Sequence, residues 1–321
     1  MREITYAEAI KEAIAFEMRR DKTVFLMGED VTVGVFGVTK GLVDEFGSDR
    51  IKDTPISEEA IAGGAVGAAA TGMRPIAEIM FMDFILIAMD QIINQASKMR
   101  YMFGGKVTLP IVFRCAAGAG IQAAGQHSQS LEALFVHMPG IKVVYPSTPQ
   151  DAIGLYISAI RDDNPVLVIE HKLLYATRGE VDDEFKPIKL GEADVKKEGK
   201  DVTVISTGAM VHKSLNAANR LEKEGISVEV VDPRSLFPLD KNTIFNSVTK
   251  THKVVIVTEE NKRGAFSAEI AAVLVEELFD YLDAPIVRVG SLNTPIPFSK
   301  ILEECYLPGE ADIVKAIKSV L

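Results

Sequence analysis

Short, continuous apolar runs separated by helix-patterned segments are the feature that most limits what this chain can fold into. Runs at 23–28, 75–80, 109–115, 142–147 and 165–171 are too short for helices and lack the polar alternation of half-exposed strands. Runs of this kind belong to strands buried on both faces, as in parallel sheets covered by helices. Helical spacing falls between them at 84–101, 130–137 and 150–160, and 39–46 reads as a short helix. The rhythm resumes with strands at 202–206, 227–231, 253–258 and 286–289, and helices at 210–224, 243–249, 267–281 and 311–321. Residues 1–21 mix charged and apolar side chains at helical spacing, which predicts a helix there and not a signal peptide. The expected fold is α/β: a doubly wound parallel sheet, then a second, smaller α/β domain.

A chain of 321 residues is long for one core and fits two domains. The segment 178–200 is rich in Gly, Glu, Asp and Lys and poor in periodicity. The expected division is a first domain over 1–185, a linker over 186–200 whose last part reads as an edge strand, and a second domain over 201–321. The 35 basic against 45 acidic side chains argue against a nucleic-acid or anionic-membrane surface. The most apolar stretch, 76–93, is interrupted by Glu78, Asp83 and Asp90, so no membrane span is expected. Cys115 and Cys305 form no CxxC pair, which points away from a structural disulfide and toward a reducing cytoplasm.

The stretch Asp53-Thr54-Pro55-Ile56-Ser57-Glu58 runs directly into a helix made almost entirely of Ala and Gly. Glu58 can simply favour the positive end of that helix, worth roughly 0.3–1 kcal/mol. The helix behind it weighs the other way. Gly64, Ala68 and Gly72 fall four apart, as do Gly63 and Gly67, and small residues at that period let another backbone come close. A carboxylate at the mouth of a partly dry seam is suited to proton exchange near neutrality. Glu29 follows the first apolar run, at the strand end where α/β sheets place ligand-binding groups.

His127 lies in a Gly/Ala-rich loop, 116–130, after a buried strand. It reads as a general acid or base exposed to a cleft, or as a capping or surface histidine. Phe81, Phe84 and Met80 read as core or as a pocket wall, and 162–164 as a solvated turn or an ion site. The chain carries no GxGxxG or GxxxxGK[ST] loop and no HExxH or GxSxG motif. Gly118, Gly120 and Ala123 match the looser GxGxxA form, but no helix pattern opens there. No GDG run is present to cradle a magnesium diphosphate.

With these residues in view, the chain resembles the β subunit of the E1 component of 2-oxoacid dehydrogenase complexes along nearly its whole length. The likeness rests on GEDV (28–31), VTKGL (38–42), DTPISE (53–58), the Gly/Ala helix, DF (83–84), DQIINQASK (90–98) and QHSQS (126–130). PGIKVVYPSTPQDA (139–152), RDDNPV (161–166) and EENKRG (259–264) complete it. The resemblance implies a pyrimidine-type thiamin-diphosphate-binding domain followed by a transketolase C-terminal-like domain. It also implies a heterotetramer of two α and two β chains, in which the α chain supplies the diphosphate and Mg2+ site.

Residue roles follow from the same resemblance. Glu58 is similar to the glutamate that contacts N1′ of the aminopyrimidine and helps generate the reactive C2 ylid, and Phe84 to the aromatic packed on that ring. His127 matches the histidine near the substrate and the lipoyl acceptor, and Glu29 an acidic residue of the polar channel between active sites. Ile111, Ala159, Ile160, Asp162 and Asn164 match a structural monovalent-cation site, usually potassium, formed largely by carbonyls. The second domain is implied to hold the tetramer and dock the subunit-binding domain of E2.

The implied reaction cleaves the C–C bond next to a carbonyl and passes the acyl group to E2-bound lipoamide. Segments 100–106, 170–175 and 208–212 look most like the acetoin dehydrogenase branch, with pyruvate or branched-chain 2-oxoacids as the alternative substrates. Competing readings are a non-catalytic assembly subunit, and a transketolase-like half enzyme, which predicts basic side chains near the cleft.

Overall fold

The computed structural model describes residues 1–321, and the chain divides into two compact units. The first comprises Met1–Ala117 with Leu134–Leu190, the second Gly118–Ala133 with Gly191–Leu321.

The chain opens with β1 (Arg2–Thr5), α1 (Tyr6–Arg20), β2 (Val24–Gly28), α2 (Leu42–Phe46), β3 (Ile51–Asp53), α3 (Glu58–Ala70) and β4 (Arg74–Phe81). It continues with α4 (Ser97–Met102), β5 (Val112–Ala117), α5 (Glu132–Val136), β6 (Lys142–Val144), α6 (Pro149–Arg161), β7 (Val166–His171) and β8 (Arg178–Val181). Inside the first unit the strands run β3-β2-β4-β5-β7-β6, every neighbouring pair parallel. β5 and β7 are buried along their whole length, as strands covered on both faces are. The chain steps outward one way from β2 to β3 and the other way through β4 to β5, so the order reverses between β2 and β4. α1 packs on α6, and α3 on β4.

Two expectations are corrected here. The N-terminal helix does not include residues 2–5, which pair antiparallel with β8. Thr5 ends that strand and caps α1: its hydroxyl accepts the Glu8 N–H at 3.2 Å, and the Glu8 carboxylate accepts the Thr5 N–H at 2.7 Å. This reciprocal cap sets the helix start where periodicity alone could not. The helix expected over 84–101 is instead a 3-10 turn (Met82–Leu86), a π-helical stretch (Asp90–Ala96) and α4. The carbonyl of Ile93 accepts from the Ser97 hydroxyl at 2.5 Å and the Lys98 ammonium at 2.7 Å. Side-chain donors thus compete for a carbonyl the α-helical ladder would use.

The second unit contains β9 (Asp194–Lys197), β10 (Val202–Ser206), α7 (Met210–Glu222), β11 (Val228–Asp232), β12 (Ser235–Phe237) and α8 (Lys241–Thr251). β13 (Val254–Asn261), α9 (Phe266–Leu278), β14 (Val287–Ser291), α10 (Lys300–Tyr306) and α11 (Glu310–Lys318) follow. Its sheet runs β14-β13-β10-β11-β9, parallel except for β9, which lies inside the segment read as a linker. Loop 118–133 groups with this unit although it directly follows β5. No helix is long and apolar enough to cross a membrane, and both cysteines are unpaired.

Candidate functional site

Open parallel sheets bind ligands outside the carboxyl ends of their strands, where the strand order reverses. Here that point lies beyond β2 and β4. At the end of β2, an added Cβ on Gly28 would come 2.8 Å from Glu78 Cβ and 2.9 Å from the Glu78 carbonyl. Only glycine lets the two strands approach that closely. Glu29 and Asp30 follow at once. Burial pushes the Glu29 carboxyl up, and the neighbouring charges of Asp30 and then Glu58 push it further. Glu29 therefore stands within reach of the Glu58 charge.

The end of β3 is tied to β2, because the Thr54 N–H donates to the Gly28 carbonyl at 2.9 Å. Asp53 in turn accepts the Thr32 N–H at 2.9 Å. Glu58 opens α3 and is 8% exposed; Ser57 makes no side-chain cap, so Glu58 faces the positive helix end directly. α3 buries Ile61, Ala62, Ala65, Val66 and Ala69, and leaves Ala60, Gly64 and Gly67 exposed. A side chain at Gly67 would meet nothing. Gly72 lies past the helix end at φ +101° and does not extend that face.

Beyond β4, Phe81 packs edge-on against Phe84 at 5.8 Å and against Phe36 at 5.4 Å. Phe36 stacks on Tyr175 at 5.6 Å, and the Lys172 ammonium sits 5.2 Å from the Phe81 ring. All four aromatic side chains are half-buried, so the carboxyl end of β4 carries a partly open aromatic wall. Phe81 and Phe84 were legible as wall candidates; Phe36 and Tyr175 come from distant loops and gave no local signal.

A buried ionic cluster lies within the sheet. Arg114 on β5 pairs with Glu78 on β4 and, at 2.6–2.7 Å, with Glu170 on β7. Tyr156 also bonds Glu170, and Tyr175 donates to it at 2.7 Å. Burial disfavours the Arg114 cation, but Glu170 and Glu78 outweigh that and hold it firmly charged. Burial pushes Glu78 up, against the pull of Arg114. The available sequence signal was a charge inside each apolar strand.

His127 belongs to the second unit's group of residues, half-buried, its N–H donating to the Ala124 carbonyl at 3.4 Å. Of the five carbonyl-site candidates, Ile160 and Asp162 both offer carbonyls to Arg74 Nη1, at 3.0 and 3.2 Å. The Ile111 carbonyl accepts the Val166 N–H at 2.9 Å, and that of Ala159 the Asp162 N–H at 3.3 Å. Burial opposes ionisation of Asp162, but hydrogen bonds from Lys142 and Asn164 hold its carboxyl below the usual range. No group of three or more His, Cys, Asp or Glu side chains is arranged to hold a metal ion.

Residues 2–178 match the family described as transketolase, pyrimidine binding domain, and residues 191–313 match transketolase, C-terminal domain. The chain is 49% identical to the acetoin:2,6-dichlorophenolindophenol oxidoreductase subunit beta of Bacillus subtilis (strain 168), over 100% of this chain and 98% of that one. It is 45% identical to the pyruvate dehydrogenase E1 component subunit beta of Rickettsia felis, over 99% and 98% of the two chains. Among solved structures, a split-gene transketolase described as an inactive beta4 tetramer superposes with a TM-score of 0.81 at 27% identity, covering 99% of this chain and 98% of that one.

Proposed function

Because the chain belongs to the E1 β-subunit family, built from transketolase pyrimidine-binding and C-terminal domains, we propose that it is the β half of a thiamin-diphosphate-dependent enzyme. That enzyme cleaves the C–C bond next to a carbonyl in acetoin or a 2-oxoacid and passes the acyl group to lipoamide on an E2 chain. The observation that carries the reading is the buried Glu58 at the start of α3, whose charge reaches Glu29 at the sheet's switch point.

The residues fit one end of the cofactor and not the other. Glu58 offers an acceptor to a heterocycle N–H, and Phe81 and Phe84 offer an aromatic face. The charges at the strand ends, Glu29, Asp30 and Glu58, repel a polyanion, so the diphosphate and its Mg2+ fall to the α chain. Thiamin diphosphate, when bound, supplies the nucleophilic carbon that attacks the carbonyl. Glu58 holds and moves a proton at the aminopyrimidine nitrogen. The bare outer face of α3 admits a close backbone from the α chain, and two facing chains exclude water.

His127 holds a proton for the substrate or the lipoyl acceptor. The corner formed by Ile111, Ala159, Ile160, Asp162 and Asn164 is the candidate potassium site; Arg74 already draws two of its carbonyls, so the ion has to share them. The second unit is the candidate for tetramer contacts and E2 docking, and the cytoplasm is the proposed compartment.

Isothermal titration of thiamin diphosphate with Mg2+ tests the half-site. Tight binding is expected only from this chain mixed with its α chain; tight binding by this chain alone sinks the reading. Turnover of the pair on a panel of acetoin, pyruvate and branched 2-oxoacids then assigns the substrate, with acetoin expected fastest.

A further inference from the structure

The loop that carries His127 is held in an unfavourable shape. Gly118 and Gly120 have φ +88° and +106°, where glycine is at ease, but Gln122 and Ala124 also lie in the left-handed region at +58° and +56°. Side chains with a Cβ stay there only when the surroundings over-determine the backbone. Three carboxylates tie down the loop's backbone, one of them at Gln122 itself. Glu259 on β13 accepts the Ala119 N–H at 2.7 Å. Glu303 on α10 accepts the Gly120 N–H with one oxygen at 2.8 Å and the Gln122 N–H with the other at 3.0 Å. Glu260 accepts the Ala133 N–H at 3.2 Å at the far end of the loop.

All three carboxylates are buried, with 3–6% exposure. Tyr306, on the same helix as Glu303, packs with Ile296 against Ala119. The bridge from Glu303 joins the N–H groups of Gly120 and Gln122, two residues that both have positive φ. Its bonds are charge-assisted and two-pronged, hence stronger and more directional than those of a neutral acceptor.

We propose that Glu303 and Glu259 are positioning residues for the reaction: by fixing the backbone of 119–122 they set where His127 is presented. The role rests on the assignment of His127 made above. Neither carboxylate touches substrate or cofactor. Glu303→Ala frees the Gly120 and Gln122 N–H groups, whereas Glu303→Gln keeps one acceptor and turns an amide NH2 toward the other N–H.

The test combines hydrogen exchange on the full chain with kinetics of its complex with the α chain. In Glu303→Ala, exchange at Gly120 and Gln122 is expected to rise at least about tenfold while β10 and β11 are unchanged. Glu303→Gln should fall between it and the native protein, and it serves as the readable variant if the alanine form folds poorly. For acyl transfer to lipoamide, kcat is expected to fall about tenfold or more with KM for the carbonyl substrate nearly constant. The double variant with His127→Ala should be no slower than His127→Ala alone.

Unchanged exchange at 120 and 122 in both Glu303 variants overturns the clamp. Faster exchange with native kcat overturns the positioning role. Native kcat in His127→Ala removes the His127 assignment, and the role with it, while the exchange result still reports on the clamp itself.

Discussion

Glu132 and Glu260 show how far burial, with carboxyl neighbours, can move a carboxyl in this fold. Both oxygens of Glu132 are buried with no hydrogen-bond partner on another residue, and burial, then Glu260, push its carboxyl well above the usual range against the pull of its own N–H, with Glu259 adding to the push. Burial also pushes Glu260 up to about 7, against hydrogen bonds from the Phe266 and Ala133 N–H groups. The folded chain therefore holds protons that the unfolded chain has already released at pH about 5–7. The stability these groups contribute is full below the ordinary carboxylate range and is lost as pH rises through about 7. Stability in chemical denaturation should fall between pH 5 and 8, and Glu132→Gln should flatten that slope. A stability that rises with pH over that range would contradict it. At this scale legibility depended on local context. Glu29 and Glu58 stand at strand and helix ends that the hydropathy pattern marks, whereas Glu303 sits in Lys-Ile-Leu-Glu-Glu-Cys-Tyr, a stretch to which the pattern assigns no element. Its partners, 181 and 183 residues away, are invisible to any local pattern.

Strands were the most legible elements, because a parallel sheet buried on both faces leaves mostly apolar runs with clear ends. Helices built from competing side-chain donors were not, as the 3-10 and π segments between β4 and α4 show. The charges inside β4, β5 and β7 carry their own prediction. Arg114→Leu leaves Glu78 and Glu170 buried without a cation and should cost about 3–5 kcal/mol, read by chemical denaturation. A loss below 1 kcal/mol would mean that the two carboxyls simply take up protons. Gly28→Ala pushes a methyl into the Glu78 backbone and should cost about 1–3 kcal/mol while displacing Glu29. Of the two changes, only Gly28→Ala is expected to lower cofactor affinity of the assembled enzyme beyond its effect on stability.

At the scale of the whole molecule, the two-domain α/β plan was readable from the alternation of strands and helices. The grouping of loop 118–133 with the second unit was not, since it depends on carboxylates contributed by β13 and α10. The Gly/Ala content of α3 has two separable consequences. Its inner Ala residues pack tightly on the first sheet, and its outer Ala60, Gly64 and Gly67 leave backbone bare for a second chain. Gly67→Leu should thus leave the isolated chain folded, since nothing lies within 4 Å of the added group, and weaken assembly with the α chain in sedimentation. Normal assembly of that variant would remove α3 from the interface. Glu58, at the head of the same helix, is the group on which the proposed chemistry depends. The most direct measurement is turnover of the α/β complex carrying Glu58→Gln, with sedimentation to confirm its assembly. An intact complex with kcat at least about hundredfold lower is the expected result; an intact complex turning over within about twofold of the native enzyme would contradict it.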